Sequence, residues 1–423
     1  MRSSILLLLL AAPLGAQAAD STYRDHDRAA AAARAAGDWA AYRHHAGEVA
    51  RLTHGHPTTA VSLARAALKT GDTAAARAHL ERFARMGLAR DLSGDADFAV
   101  LRESPAWADV ARAIAANRRP VGAATLVFTL PDSDFLAEDV VYDAPRDRFL
   151  VSSVRHRKIV AVTRGGAVSD FVPSRADGLL GALALAADAP RGLLWATSAA
   201  VPHALGLLPA DSGAADVRAY DLATGRLVRR YALPRSARAP VPGDLAVARD
   251  GEVAVSDAVT GAMYVVRPGR DALETLVPAG RLTSPQGPAY DARGRLFVAD
   301  YALGIARIDR QTGAVTWLAH ADDVALSGID GLTAYRDHLI AVQNGTDPRR
   351  VLRLALDAGA TRVTEASVLA QDAALMPEPT RGAVVNGELW LAAGPGWDQF
   401  DDAGRVREGV RPKAPSVVRV RLR

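Results

Sequence analysis

Short apolar strands separated by polar turns recur along the chain from about residue 137 onward. The clearest copies are GDLAVARDGEVAVSD at 243–257, QGPAYDARGRLFVAD at 286–300 and DGLTAYRDHLIAVQ at 330–343. Each copy has the pattern of a strand, an Asp/Arg/Gly turn and a second strand. A third and a fourth strand follow, as in DVRAYDLATGRLVRRY at 216–231. The repeating unit is therefore predicted to be a sheet of four antiparallel strands.

The unit recurs about six times at intervals of about 40–50 residues, a spacing that suits propeller blades. The predicted fold class is mainly β, a six-bladed β-propeller. Strand TLVFTL at 125–130 precedes the first inner strand, and SVVRVRLR at 416–423 is the last strand of the sequence. We expect the last blade to take its outer strand from 125–130, which closes the ring and leaves no open sheet edge.

Between residues 20 and 120 the apolar residues instead lie three and four apart, which is helical spacing. The segment 57–88 predicts two helices, with a break at Gly71-Asp72 and with Thr73 as the cap of the second helix. This pair is similar to a tetratricopeptide unit. The segment 95–120 adds two short helices.

The predicted domains are a signal peptide at 1–18, a small all-α domain at 19–120 and the propeller at 121–423. Arg2 and a short apolar run precede Ala16-Gln17-Ala18, which is the pattern of a secretory signal peptide. No later apolar run reaches the roughly 20 residues that a membrane helix needs. We therefore expect an exported protein that is periplasmic or secreted and soluble after cleavage.

Composition excludes several classes of function. The chain has no cysteine, which removes disulfides, thiolate catalysis and cysteine-based metal sites. Its 51 basic and 47 acidic residues give a net charge of +4 with no basic cluster, so no nucleic-acid partner is expected. The sequence also lacks a GxSxG elbow, a P-loop and a GxGxxG motif before a helix.

Polar residues stand at the heads of the inner strands in five of the six predicted blades. Aligned by their turns, they are Glu138, Asp244, Gln286, Asp330 and Arg381. Carboxylate and amide oxygens that converge on one channel mouth suit a divalent cation, Ca²⁺ above all and otherwise Mg²⁺, Mn²⁺ or Zn²⁺. The alternative is that these side chains cap loops through bonds to backbone N–H groups.

Residues at the ends of the second strands are the next candidates. Asp257, Asp300 and Asn344 are predicted to be turn caps that could also line the lower channel. Asn344 and Arg381 are further assigned to substrate binding.

Two long segments between strands are predicted to cover the channel mouth. They are 199–215 in the second blade and 394–415 in the sixth, and such loops often carry specificity. Trp397 and Phe400 lie in the second segment and are predicted to contact substrate.

The segments AEDVVYD, DRFLVSS, SPQGPAYDARGRLFVADY and GIDGLTAY resemble the gluconolactonase, regucalcin and senescence-marker-protein superfamily of six-bladed propellers. The resemblance covers about residues 125–423. In that family a divalent ion is held by a Glu of the first inner strand, by Asn residues of later strands and by the Asp of an Asp-Gly pair. By position, Glu138 and Asp330 match the Glu and the Asp, whereas Asp244 and Gln286 stand where Asn is found.

The resemblance implies a metal-dependent hydrolase of lactones or related esters. In such an enzyme the metal polarises the lactone carbonyl, and Asp330 or Asp244 assists an attacking water as general base. The alternative is a non-catalytic scaffold that offers the channel mouth to a small-molecule ligand or the helical domain to a protein partner. Glu138→Gln or Asp330→Asn separates the two, because only an enzyme loses turnover with its metal.

Overall fold

The computed structural model describes residues 22–102, 104–371 and 374–423. The predicted signal peptide lies outside the described residues. In the described part, helices come first and strands follow, so the predicted order of a helical segment before a β-propeller is confirmed. Within these same residues, no helix is both long enough and apolar enough to cross a membrane.

The helices are α1 (Tyr23–Ala36), α2 (Trp39–Leu52), α3 (Pro57–Lys69), α4 (Thr73–Arg85), α5 (Ala99–Arg102) and α6 (Pro105–Ala116). The predicted pair over 57–88 is present as α3 and α4, and both short helices of 95–120 are present. The predicted cap of α4 is wrong by one residue. Asp72 is the N-cap and accepts the N–H of Ala75 over 2.9 Å, while Thr73 is the first helical residue. A carboxylate suits this position because it accepts a terminal N–H and faces the positive end of the helix dipole.

Small residues let α3 and α4 approach closely. Ala60, Ala64 and Ala67 of α3 are buried against Leu80 and Phe83 of α4. Full burial of a Leu or Phe side chain contributes about 1.5–3 kcal/mol, so this seam is the core of the helical domain.

The strands form six four-stranded antiparallel sheets, the blades of the propeller. The first strand, β1 (Ala124–Thr129), belongs to the last blade. Blade 1 contains β2 (Ala137–Asp143), β3 (Arg148–Ser153), β4 (Lys158–Thr163) and β5 (Val168–Val172). Blade 2 contains β6 (Gly181–Asp188), β7 (Leu193–Ala199), β8 (Ala215–Asp221) and β9 (Leu227–Ala232). Blade 3 contains β10 (Asp244–Val247), β11 (Val253–Asp257), β12 (Ala262–Val266) and β13 (Leu273–Val277).

The other three blades repeat the arrangement. Blade 4 contains β14 (Pro285–Tyr290), β15 (Leu296–Asp300), β16 (Gly304–Ile308) and β17 (Val315–Trp317). Blade 5 contains β18 (Ile329–Tyr335), β19 (His338–Gln343), β20 (Arg350–Leu356) and β21 (Val363–Ala370). Blade 6 contains β22 (Gly382–Val385), β23 (Glu388–Ala392), β24 (Ser416–Arg421) and, outermost, β1.

The predicted ring closure is confirmed. Strand β1 pairs antiparallel with β24, with Thr125 opposite Arg419, so the last blade takes its outer strand from the start of the propeller. Phe149 of blade 1 stacks on Trp390 of blade 6 with ring centroids 4.5 Å apart. Such a pair adds about 0.5–1.5 kcal/mol beyond its buried area and strengthens the seam where the ring closes.

One buried arginine connects the helical domain to blade 5. The guanidinium of Arg350 donates to the carbonyls of Met86 and Gly87, over 3.0 and 3.2 Å, and to Gln343 Oε1 over 2.7 Å. These two carbonyls follow α4, where no helical N–H reaches them. Arg350 therefore links the end of α4 to the start of β20.

Candidate functional site

The heads of the inner strands and the ends of the second strands lie at the same mouth of the channel. Antiparallel pairing requires this, because Ile329 at the head of β18 lies opposite Gln343 at the end of β19. The expectation that Asn344 lines the lower channel is therefore wrong. Asn344 Nδ2 donates to Asp330 Oδ2 over 2.6 Å at the mouth itself.

Asp257 and Asp300 are turn caps, as predicted. Asp257 accepts N–H groups from Val241, Val259 and Thr260, and Asp300 accepts four more from its two neighbouring loops. Both are fully buried, so neither is available to a ligand in the mouth.

Glu138 and Asp330 form a pair of half-buried carboxylates at this mouth. Glu138 Oε2 accepts the indole N–H of Trp397 over 2.5 Å, and Asp330 Oδ2 accepts the Asn344 amide. Among the described residues, the second oxygen of each carboxylate accepts no hydrogen bond. Each residue thus has one oxygen held in place and one that a ligand can reach.

The surroundings of this pair favour protonation. Burial, and then the negative charge of Asp330, raise the pKa of Glu138 well above its ordinary value. Burial, and then the charge of Asp244, raise the pKa of Asp330 to about 7. The surroundings therefore favour a proton on Glu138, and Asp330 is close to its midpoint near neutral pH.

Arg381 and Asp244 form a buried ion pair across the channel. Arg381 Nη1 donates to Asp244 Oδ1 over 2.7 Å, and Nη2 donates to the carbonyl of Leu245 over 3.0 Å. Burial alone would lower the pKa of Arg381, but the charges of Asp244 and Asp139 raise it above its usual value. Arg381 was assigned to substrate binding and Asp244 to metal binding and catalysis, yet the structure pairs them with each other.

Asp139 is a site residue that the sequence did not single out. A bulge in the pairing of β2 with β3, between Ala137 and Val140, interrupts the regular alternation of side chains. Asp139 is buried, its Oδ2 accepts the N–H of Leu185 over 2.9 Å, and burial raises its pKa to about 6. Asp139 lies on β2 of blade 1, but its carboxylate contacts β6 of blade 2. The head of β6 has only glycine and apolar residues of its own. The adjacent Glu-Asp dipeptide was the only sequence signal.

The four predicted metal ligands do not fit a divalent cation as a set. Both oxygens of Asp244 are engaged, one by Arg381 and one by the N–H of Gly287 over 2.7 Å. The amide nitrogen of Gln286 lies 3.4 Å from Ser284 Oγ. Across the part of the chain that the structure describes, no group of three or more His, Asp or Glu side chains is arranged to hold a metal ion. Glu138 and Asp330 are the two predicted carboxylate ligands that keep a free oxygen, and Gln286 keeps its amide oxygen.

The two long segments meet over the mouth. His203 of the first segment packs against the indole of Trp397 of the second, with ring centroids 4.8 Å apart. The same indole donates its N–H to Glu138. Arg155 of blade 1 also donates to the carbonyl of Gly404 in the second segment over 2.9 Å. Phe400 is 2% exposed and packs beneath His203 and Arg155, so its predicted contact with substrate is wrong.

Tyr301 extends the hydrogen-bonded chain behind Asp330. Its hydroxyl donates to Asn344 Oδ1 over 2.9 Å, and Asn344 in turn donates to Asp330. Burial, and then the charge of Asp330, raise the pKa of Tyr301 to about 12, so the phenol stays protonated as a donor. The hydrogen bonds from Tyr301 to Asn344 and from Asn344 to Asp330 fix the orientation of the Asp330 carboxylate.

The chain matches no family model and no curated protein. Several solved structures are similar in fold. A virginiamycin B lyase from Staphylococcus aureus is 14% identical with a TM-score of 0.45, over 64% of this chain and 81% of that one. A PQQ-bound aldose sugar dehydrogenase from Streptomyces coelicolor is 14% identical with a TM-score of 0.46, over 72% and 99%. A luciferin-regenerating enzyme is 11% identical with a TM-score of 0.47, over 72% and 95%. No site residue or activity is transferred from them.

Proposed function

We propose that the channel mouth is the active site of a hydrolase of lactones or related esters, with Glu138 and Asp330 as its acid and base. One observation carries the proposal: two half-buried carboxylates share one mouth, and each has one oxygen held and one free. The choice of lactones and esters comes from the resemblance of the propeller segments to the gluconolactonase superfamily. Because the predicted metal ligands do not fit as a set, no step is assigned to a metal.

Asp330 acts as the general base. Its free Oδ1 takes a proton from a water molecule as the water oxygen attacks the carbonyl carbon of the ester. A pKa of about 7 suits this task, because a base near the working pH is both ionised and able to hold the proton. Asn344 keeps the other oxygen in place and so fixes the direction in which the free oxygen points.

Glu138 acts as the general acid. Its raised pKa favours the protonated form, and its free oxygen can donate that proton. When the C–O bond of the ester breaks, the leaving alkoxide takes the proton from Glu138. The product is a hydroxy acid, and Asp330 returns its proton to Glu138 or to solvent to restore the pair. Two carboxylates with different surroundings thereby divide the acid and base roles.

The two segments over the mouth would exclude bulk water, though not the attacking water molecule, and would select the substrate. Trp397 and His203 come from different blades and form one wall beside Glu138. Exclusion of water strengthens the electrostatic interactions of the carboxylates with the reacting atoms. We extend the proposal to export of the protein, because residues 1–18 have the pattern of a signal peptide.

A second candidate function is binding without turnover. The helical domain is docked on the mouth side of blade 5, where Ala89 N–H donates to the carbonyl of Asp347 and Arg118 pairs with the Asp347 carboxylate. A crevice of about 330 Å³ lies between α3, α4 and the loop 345–347. Crevices between domains are common ligand sites, and the tetratricopeptide-like pair would place a protein partner there.

A hydrolysis screen tests the proposal. The full chain is incubated in chelator with a panel of lactones and aryl esters, and acid release is followed at constant pH. Asp330→Asn and Glu138→Gln should each lower kcat by about 10²–10⁴ at unchanged fold, whereas the exposed Asp402→Asn should not. Activity that survives both substitutions would overturn the acid–base assignment. A folded wild type that hydrolyses no member of the panel would favour the binding protein.

A further inference from the structure

Arg381 crosses the channel from the head of β22 to the opposite side of the ring. Its Nη1 and Nη2 reach Asp244 and the carbonyl of Leu245 on β10, and its Nε lies 4.0 Å from Asp139 Oδ2 on β2. Blades 3 and 6 face each other in a ring of six, so the guanidinium lies across the channel itself. The side chain is only 10% exposed.

The two aspartates around Arg381 are fixed by backbone N–H groups, two of which belong to other blades. Asp244 accepts the N–H of Gly287 in blade 4, and Asp139 accepts the N–H groups of Val140 in blade 1 and Leu185 in blade 2. The acceptors that hold the guanidinium therefore cannot move without disturbing blades 2 and 4. These groups form a preorganised cation site, and the side chain of Arg381 occupies it.

We propose that Arg381 is the resident cation of the channel mouth, and that it occupies Asp244, one of the residues at the ligand positions of the divalent ion that the resemblance implies. A guanidinium supplies a permanent positive charge and forked donors that match carboxylate oxygens. A divalent ion that used Asp244 would have to displace Arg381 and leave a buried charge without a partner, which is strongly unfavourable. The inference concerns cation binding and stands whether or not the mouth hydrolyses esters.

A latent metal site follows from the same geometry. Removal of the Arg381 charge frees Asp244 Oδ1 while Glu138 and Asp330 keep their free oxygens and Gln286 adds an amide oxygen. These are hard oxygen ligands of the kind that Ca²⁺ and Mg²⁺ prefer. We therefore expect Arg381→Gln to gain a divalent-cation site that the wild type lacks.

The test is thermal unfolding of chelator-treated protein with Ca²⁺, Mg²⁺, Mn²⁺ or Zn²⁺ up to about 10 mM, because a ligand of the folded state raises the melting temperature. Wild type and the charge-preserving Arg381→Lys should show no saturable rise. Arg381→Gln should show a rise in melting temperature that saturates within this range of concentration. The rise should be lost in the double variant Arg381→Gln/Asp244→Asn.

Two results would overturn the proposal. The first is a saturable wild-type response that disappears in Asp330→Asn, since it would place a divalent ion at the mouth beside Arg381. The second is a folded Arg381→Gln that responds no more than wild type. If Arg381→Gln does not fold, calorimetric titration of wild type and of Asp330→Asn with the same divalent cations is the test. Binding to wild type that is lost in Asp330→Asn would refute the proposal, and no such binding would support it.

Discussion

Replacing Asp330 by Asn should stabilise the folded protein, and the gain should grow as the pH rises. Asp330 is an acid whose pKa is raised from 3.8 in the unfolded chain to about 7 in the folded one. At a pH below both pKa values the carboxyl is protonated in the folded and the unfolded state, so it does not change the free energy of unfolding. Between the two pKa values the carboxyl ionises only when the protein unfolds, so the free energy of unfolding of the wild type falls as pH rises. Above about pH 7 it falls no further, because the carboxyl is then ionised in both states.

The magnitude follows from the size of the pKa change. A tenfold difference in proton affinity corresponds to about 1.4 kcal/mol, so a change from 3.8 to about 7 costs the wild type about 4 kcal/mol at high pH. At about pH 5 the same relation gives a cost of about 2 kcal/mol. Asparagine has no charge to bury and keeps an oxygen for the Asn344 amide. The advantage of Asp330→Asn should therefore increase by about 2–3 kcal/mol between about pH 5 and 8.5.

Urea-induced unfolding followed by tryptophan fluorescence measures this difference at each pH in the presence of chelator. Asp402→Asn removes one exposed carboxylate and is the matched control, with an expected change within about 0.5 kcal/mol at either pH. A difference between Asp330→Asn and wild type that stays constant or shrinks as pH rises would refute the raised pKa. The assignment of Asp330 as a base near neutrality would then lose its physical basis.

Three further changes test other parts of the structure. Arg350→Met leaves the carbonyls of Met86 and Gly87 unpaired and should cost about 2–4 kcal/mol. Proteolysis should then release the helical domain faster than in the neighbouring Arg349→Met. Trp397→Phe keeps an aromatic ring but removes the N–H that holds Glu138, so kcat for an active ester should fall about tenfold, and an unchanged kcat would contradict this role. Deletion of residues 416–423 removes β24 and should abolish cooperative unfolding, as seen by circular dichroism, whereas deletion of Arg423 alone should not.

Much of the fold could be predicted because each blade repeats a local pattern. Alternating apolar residues predict strands, and Asp/Gly turns between them predict hairpins. The pairing of segment 125–130 with segment 416–423 could be predicted because each end of the propeller sequence has a strand without a partner in its own repeat. The helix pair over 57–88 was equally readable from Pro57 and Gly71. The one-residue difference at the cap of α4 arose because Asp72 and Thr73 are both good caps, and only the backbone geometry decides between them.

The candidate site was less predictable because its contacts connect distant blades. Alignment of strand heads identified Glu138, Asp244, Asp330 and Arg381, but no local pattern shows that an arginine of blade 6 reaches an aspartate of blade 3. Asp139 was missed because a bulge breaks the alternation on which the alignment relied. The position of Asn344 could have been deduced, since antiparallel pairing brings the end of one strand to the head of the next.

The closure of the ring also sets an order of events in folding. Blade 6 joins β1, which leaves the ribosome early, to β24, which is made almost 300 residues later. Blades 1 to 5 can form as local hairpins during synthesis, but β1 has no partner until the last strand emerges. Before β24 pairs with β1 the propeller is an incomplete ring. The apolar faces of blades 1 and 6 are then exposed at the place where Phe149 and Trp390 stack in the folded protein. Pairing of β24 with β1 is therefore the step that closes the ring of six sheets.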